Sequence, residues 1–114
     1  MKARASHAKG YCVVFVTAGS RREARELAQG LLERRLVACA NIVPGVESHY
    51  WWQEGIDCSR EWLLILKTRQ SKFDALRQAV KELHSYQAPE IIALPLMAGD
   101  TAYLRWIDAS LLRR

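Results

Sequence analysis

The sequence predicts an α+β fold, in which an antiparallel sheet carries two helices on one face and a further helix follows at the C-terminus. Three observations predict this fold. Several apolar runs have strand length, two stretches repeat apolar residues at the helical period, and the elements alternate in the order β-α-β-β-α-β. The chain has 114 residues, half of them apolar, which suits one domain with a core of its own.

The most unusual stretch of the chain is residues 37–52, VACANIVPGVESHYWW. It is rich in residues that suit a pleated surface, and Pro44-Gly45 predicts a bend or bulge, because proline cannot donate a ladder hydrogen bond. As one strand it would span roughly 50 Å, whereas a usual strand has about 5–6 residues. An exposed overhang of this kind invites aggregation, so we expect another copy of the chain to cover it.

The first strand is predicted over residues 11–17, YCVVFVT, whose continuous apolar run is typical of burial on both faces. Ser20 and Glu23 then have the spacing of a capping box, in which each side chain satisfies an otherwise free backbone N–H. The helix that follows is predicted to end near Arg35. It carries one apolar stripe, made of Ala24, Leu27, Ala28, Leu31 and Leu32.

After the long strand, residues 53–60 are predicted as a polar turn and residues 61–68, EWLLILKT, as the returning strand of a hairpin. Ser71 is the predicted cap of a second helix, and residues 84–90 are a predicted loop. Residues 91–96 are a predicted short strand, in which Pro95 marks either an edge strand or the end of the strand. Asp100 can cap the last helix. The predicted inward residues of the last two helices are Phe73, Leu76, Val80 and Leu83, then Tyr103, Ile107 and Leu111.

This order of elements is that of the split βαβ, or ferredoxin-like, arrangement. We predict a flexible tail over residues 1–10 and the domain over residues 11–114. In this fold one sheet face lacks helices and should show polar residues at alternate positions, but residues 12–16 and 62–66 do not. The sequence therefore predicts a homo-oligomer packed sheet against sheet. The alternative is a last helix that folds across the open face.

Composition limits the classes of function. No apolar run reaches the 18 or more residues of a membrane span, and the N-terminus does not read as a secretory signal, so we expect a cytoplasmic protein without a membrane partner. Cys12, Cys39 and Cys58 form no C-x-x-C motif, which favours free thiols. We expect Cys12 and Cys39 to be buried and Cys58 to be accessible. The net charge of +5 is dispersed, which argues against a nucleic-acid partner.

The motifs LVACANIVPGVESHYWW, EWLLILKT, HSYQAPEIIALPL and GDTAYLRWI closely resemble the CutA family, the divalent-cation tolerance proteins. The resemblance runs over roughly residues 11–112. It implies a ferredoxin-like fold and a homotrimer that resembles the PII signalling proteins. It also implies a cytoplasmic protein linked to tolerance of copper and other divalent metals.

The resemblance also raises the question of a metal cofactor such as copper. Some bacterial members have a copper site attributed to a cysteine near the end of the first strand and two adjacent histidines. In this sequence the matching positions hold Val16, Leu83 and His84, so only His84 could serve as a ligand. A lone imidazole is a poor copper site, because affinity needs several converging donors. The competing interpretation is a helix-end imidazole.

By resemblance, five residues are expected to face a ligand cleft between subunits: Cys39, Trp52, Lys67, Tyr86 and Glu90. The competing interpretation of Lys67 and Glu90 is a structural ion pair or two solvated ends. His7 and His49 carry no recognisable metal spacing. The sequence lacks the motifs of the common enzyme classes, so we predict a non-catalytic metal-binding or small-ligand-binding signalling protein. The alternatives are a ferredoxin-like RNA-binding module and an enzyme that uses Lys67, Tyr86 and Glu90.

Overall fold

A computed structural model describes residues 5–112. Four strands form an antiparallel sheet in the order β3-β4-β2-β5, and β1 and β6 form a separate pair. The predicted fold with its extra C-terminal helix is confirmed. The elements are β1 (Ala5–His7), β2 (Tyr11–Ala18), α1 (Arg21–Glu33), β3 (Cys39–Trp52), β4 (Gly55–Arg69), α2 (Phe73–Leu83), β5 (Ile91–Pro95), β6 (Ala98–Asp100) and α3 (Thr101–Leu111).

One face of the four-stranded sheet packs against α1 and α2 and holds the core. The strands contribute Val14, Val16, Leu64 and Leu66 to it, all fully buried. The helices contribute the buried side chains Ala24, Leu27, Leu31, Leu76 and Val80. Burial of large aliphatic side chains is worth about 1.5–3 kcal/mol each, so this layer is the main source of the chain's own stability.

The other face of the sheet, here called the open face, is also apolar. The register places Ile65 and Ile92 on either side of Phe15, and it places Leu94 beside Val13. Ile92 is 51% exposed and Leu94 is 48% exposed in the single chain. Antiparallel sheets that face water alternate apolar and polar residues, and these rows do not. An apolar surface of this kind favours contact with another protein surface.

The helix α3 covers only one end of the open face. Its buried residues Leu104, Ile107 and Leu111 pack with Ala8, Tyr11 and Ala38 in a second, smaller cluster. Asp108 of α3 accepts hydrogen bonds from the Tyr11 hydroxyl at 2.5 Å and from Arg69 Nε at 2.8 Å. The last helix therefore shields the open face at one end of the sheet, as the alternative predicted. It does not shield the rows of Ile65 and Ile92.

The hairpin of β3 and β4 is longer than the sequence predicts. Residues 55–60, assigned to a turn from their polarity, and Glu61 pair with residues 46–52 up to the pair Trp52 and Gly55. The turn proper is Gln53-Glu54, with φ of 47° and 64°, the two-residue turn whose twist matches a hairpin. The predicted irregularity at Pro44-Gly45 is confirmed as a register shift between Val43 and Val46.

Several local predictions need correction. Ser71 does not cap the second helix, which follows a 3-10 turn over Gln70–Lys72 and has Lys72 at its N-cap position. Leu83 and Tyr103 are exposed, and Leu104 takes the inward position predicted for Tyr103. Cys39 is only partly buried. The exchange of Tyr103 for Leu104 arises because one residue of helical phase decides which side chain faces the sheet.

The N-terminal segment also differs from the predicted tail in its described part. Ala5–His7 pairs with Ala98–Asp100, and the Ser6 and Thr101 hydroxyls lie 2.5 Å apart. Residues 1–4 lie outside the described residues. Order therefore begins before Tyr11, because a backbone edge supplied by β6 can hold a short polar strand that has no apolar pattern of its own.

Candidate functional site

The predicted cleft residues fall into three places on one chain. Cys39 and Lys67 lie where β3 begins and β4 nears its end, Tyr86 and Glu90 lie beside the end of β2, and Trp52 lies at the tip of the hairpin. Lys67 and Glu61, the carboxylate that binds Tyr86, are separated by six residues of β4, which is roughly 20 Å at about 3.3 Å per residue. One chain therefore does not bring the five together.

Cys39 and Lys67 are register partners on neighbouring strands. The Lys67 ammonium lies 3.9 Å from the Cys39 sulfur and also donates to the side-chain oxygen of Asn41. Tyr103 of α3 reaches the same place, where burial and the neighbouring Cys39 raise the pKa of its hydroxyl. The group combines a cation, a thiol and two polar side chains at the margin of the open face, which suits an anionic or polar ligand group.

Tyr86 belongs to a second polar group with Glu61 and Glu90. Its hydroxyl donates to Oε2 of Glu61 at 2.8 Å, and the Glu61 side chain is buried. Burial and the hydrogen bond to Glu61 raise the pKa of Tyr86 to about 12. Burial, together with the charge of Glu61, raises the pKa of Glu90 above its ordinary value. This corner therefore concentrates negative charge and favours a proton donor or a cation.

His84 is packed beside this corner and is engaged within the chain. Nε2 lies 2.6 Å from the carbonyl oxygen of Thr17, and Nδ1 accepts the backbone N–H of Tyr86 at 3.0 Å. The pattern specifies the tautomer with the proton on Nε2. Oε2 of Glu23 lies 3.7 Å from Nδ1, and the His84 side chain is fully buried. The ring thereby ties the loop after α2 to the end of β2.

Glu23 connects α1 to the same loop. Ser20 caps α1 as predicted, because its hydroxyl accepts the Glu23 N–H at 3.1 Å. The Glu23 carboxylate accepts from the backbone of Gly19 and, at 2.7 Å, from the backbone of Ser85. Burial alone would raise the pKa of Glu23, but these hydrogen bonds and the neighbouring His84 lower it below its ordinary value.

A metal ion does not fit the position suggested by the family resemblance as these residues stand. Val16 and Leu83 offer no donor atom, and both nitrogens of His84 are already hydrogen-bonded. The carboxylate nearest to His84 is also engaged with backbone N–H groups. A metal needs several converging donors. The role of His84 as a ligand stays a prediction, and it requires the release of one of these hydrogen bonds.

The hairpin brings together three side chains that sequence reasoning did not connect. Glu47, His49 and Cys58 each direct one donor atom to the same place, and these atoms lie within 4.8 Å of one another. The signal was available in the pairing of the strands. A two-residue turn at Gln53-Glu54 places Cys58 directly opposite His49, whereas a search for spacing along the chain cannot reveal a pair across strands.

The fold and these polar groups define a ferredoxin-like α+β domain with an open sheet face and no described helix long and apolar enough to cross a membrane. A family model described as CutA1 divalent ion tolerance protein matches residues 12–110. The chain belongs to this family.

Relatives and solved structures agree with that assignment. "Protein CutA 1, chloroplastic" of Oryza sativa is 46% identical over 98 residues, which are 86% of this chain and 55% of the relative. The Thermus thermophilus divalent-cation tolerance protein CutA is 46% identical over 95 residues, 83% of this chain and 92% of the relative. The structure of the periplasmic divalent cation tolerance protein CutA from Archaeoglobus fulgidus matches with a TM-score of 0.87 and 40% identity, covering 90% of this chain and 99% of that one. The chain thus spans about half the length of the plant relative, and nearly all of the archaeal structure.

Proposed function

We propose that the chain acts as a non-catalytic, cytoplasmic protein of divalent-cation tolerance, including tolerance of copper, and that it works as a homotrimer of the PII-like type. In this proposal the open faces pack against one another. The polar groups of neighbouring copies then meet at a cleft that receives a metal or small-molecule signal. The RNA-binding and enzyme alternatives have no specific observation in their favour.

The observation that carries the proposal is the apolar open face with the Cys39 and Lys67 group at its margin. The rows of Phe15, Ile65 and Ile92 offer a continuous apolar surface for a second copy. One chain keeps the cleft residues apart, so in this proposal a second chain completes the cleft. This combination supports a binding protein whose site is made on assembly rather than within one subunit.

Two measurements test the proposal. Sedimentation equilibrium at micromolar concentration should give a particle of about three times the 13.0 kDa chain mass. Expression in a cell that lacks its own tolerance protein should restore growth in elevated copper, and expression of an unrelated ferredoxin-like domain should not. A particle of single-chain mass would remove the cleft from the proposal, and unchanged copper sensitivity would remove the role in tolerance.

A further inference from the structure

We propose that Glu47, His49 and Cys58 form a binding site for a borderline divalent cation, Zn²⁺ or a metal of similar preference, on the hairpin of β3 and β4. The site does not include His84, and none of its three residues belongs to the predicted cleft. For its biological meaning the inference rests on the proposed function in cation tolerance, but its test measures binding directly, so the two can fail separately.

The backbone of the hairpin places the three donors on one face. His49 and Cys58 are register partners, and Glu47 precedes His49 by two residues, the period at which a strand returns to the same face. Nε2 of His49 lies 3.8 Å from the Cys58 sulfur and 2.7 Å from Oε2 of Glu47. The imidazole therefore stands between the thiol and the carboxylate.

These distances are close to those of a metal-bound set. With Zn–S near 2.3 Å and Zn–N near 2.0–2.1 Å, tetrahedral angles place the sulfur and nitrogen donors about 3.6 Å apart. The observed separation of 3.8 Å between the Cys58 sulfur and Nε2 of His49 needs almost no change. The Glu47 oxygen, now hydrogen-bonded to Nε2, would move back by less than about 1 Å to reach the roughly 3.4 Å that a shared ion requires.

The chemistry of the three donors selects the class of cation. A thiolate, an imidazole and a carboxylate together suit Zn²⁺ and its neighbours and do not suit Mg²⁺ or Ca²⁺, which prefer oxygen donors. Three protein ligands leave one tetrahedral position for water or for a group from outside the chain. All three side chains are exposed in the single chain.

The hairpin around the site is held in register from its other face. The Tyr50 hydroxyl donates to the Ser59 hydroxyl across the strands at 3.1 Å. Within β4, the Asp57 carboxylate accepts the N–H of the adjacent Cys58 at 2.8 Å. Arg60 is the register partner of Glu47, so an ion must compete with a neighbouring cation. Binding should also release a proton from the Cys58 thiol, because a metal takes the deprotonated sulfur.

The test is a calorimetric titration of the full chain with Zn²⁺ in the presence of a non-thiol reductant. A parallel titration uses Co²⁺ as a spectroscopic substitute. We expect one ion per chain, an apparent binding enthalpy that varies with the ionisation enthalpy of the buffer because protons are released, and a near-ultraviolet thiolate-to-cobalt absorption band. His49→Gln and Cys58→Ser should each weaken Zn²⁺ binding by more than about tenfold, since even loss of an outer-shell partner costs 10–100-fold. Cys58→Ser should also abolish the cobalt band.

The controls carry matched changes elsewhere in the described chain. His7→Gln and Glu54→Gln should bind Zn²⁺ as the wild type does. His84→Ala separates the two histidine hypotheses, because a loss of affinity confined to that variant would overturn the site on the hairpin. An absence of one-to-one binding, or a Cys58→Ser variant with unchanged affinity and an unchanged cobalt band, would also overturn it. Failure of the copper-growth assay with intact Zn²⁺ binding would instead contradict only the proposed function.

Discussion

At the scale of single residues, the main feature of the molecule is a buried carboxylate with one strong donor. The Glu61 side chain is buried, and the Tyr86 hydroxyl donates to it at 2.8 Å. A hydrogen bond to a charged group contributes about 1.5–3 kcal/mol, and a buried partner left unpaired costs more than the bond itself. This contact therefore decides how firmly the loop after α2 is held against the hairpin.

We predict that Tyr86→Phe lowers the free energy of unfolding by about 1–3 kcal/mol, because the buried Glu61 loses a donor while the ring is kept. Urea unfolding followed by circular dichroism measures the change. Tyr50→Phe is the matched control, because Tyr50 donates to an exposed serine hydroxyl and its loss should cost well under about 1 kcal/mol. Equal losses of unfolding free energy in the two variants would show that the contact with Glu61 stabilises the fold no more than an exposed hydrogen bond does.

Sequence reasoning selected Tyr86 and Glu90, and Glu23 only as part of a capping box, but it missed Glu61 and Thr17. Its selection came from a family resemblance, which names positions and not their partners. Glu61 is the first residue of a predicted strand, and a carboxylate at such a position is ordinarily solvated. Only the approach of the loop after α2 makes it buried, and contacts between residues 25 apart in the chain leave no local pattern.

At the scale of elements, α3 is held to the sheet by a small charged group. The Arg69 guanidinium lies 3.8 Å from the centre of the Tyr11 ring and donates to Asp108, which also accepts from the Tyr11 hydroxyl. Burial alone would raise the pKa of Asp108, but the hydrogen bonds from Tyr11 and Arg69 and the Arg69 charge lower it. The ionised carboxylate therefore favours the docked helix.

This lowered pKa predicts an acid dependence of stability. The contribution of Asp108 is fully present above its unfolded pKa, about 3.9, and is lost as pH falls through the lower folded value. Asp108→Asn should therefore be less stable than the wild type near neutral pH and should lose less stability between about pH 5 and pH 2. Thermal unfolding across that range tests it. A variant that keeps the full acid-induced loss of stability of the wild type would contradict this role of Asp108.

The elements themselves were largely predictable, and their limits were not. Apolar runs and caps at Ser20 and Asp100 located the strands and helices, because these signals act within a few residues. The predicted length of the hairpin was wrong for a physical reason. Residues 55–60 are mostly polar and largely exposed in one chain, and their strand conformation comes from backbone pairing with β3.

At the scale of the whole molecule, the open face and the long hairpin point to the same conclusion. Apolar rows lie on one side of the sheet, and the tip of the hairpin exposes Trp51 at 76% and Trp52 at 60%. A chain with extents of 55 × 28 × 22 Å is also elongated for its size. The trimer stays a prediction, and these surfaces are the reason for it.

We predict that Ile92→Glu prevents assembly while leaving the chain folded. Ile92 is half exposed on the edge strand β5, so the single chain can accept a carboxylate that an apolar interface between copies cannot. Sedimentation should give the mass of one chain. Leu32→Glu, at a comparably exposed position on α1, should keep the mass of the wild type. A trimer of the Ile92 variant would show that the open face is not the interface.

Among residues 5–112, residues 46–52 have residues 55–61 as their only strand partners, since β2 pairs with β4 only from Trp62 onward. Two strands alone are marginally stable in water. If other copies supply the missing neighbours, this arm completes its folding only when they arrive, and its order then follows the protein's concentration in the cell. A dilute chain would carry a fraying arm open to proteases, so that scarcity of the protein would itself hasten its removal.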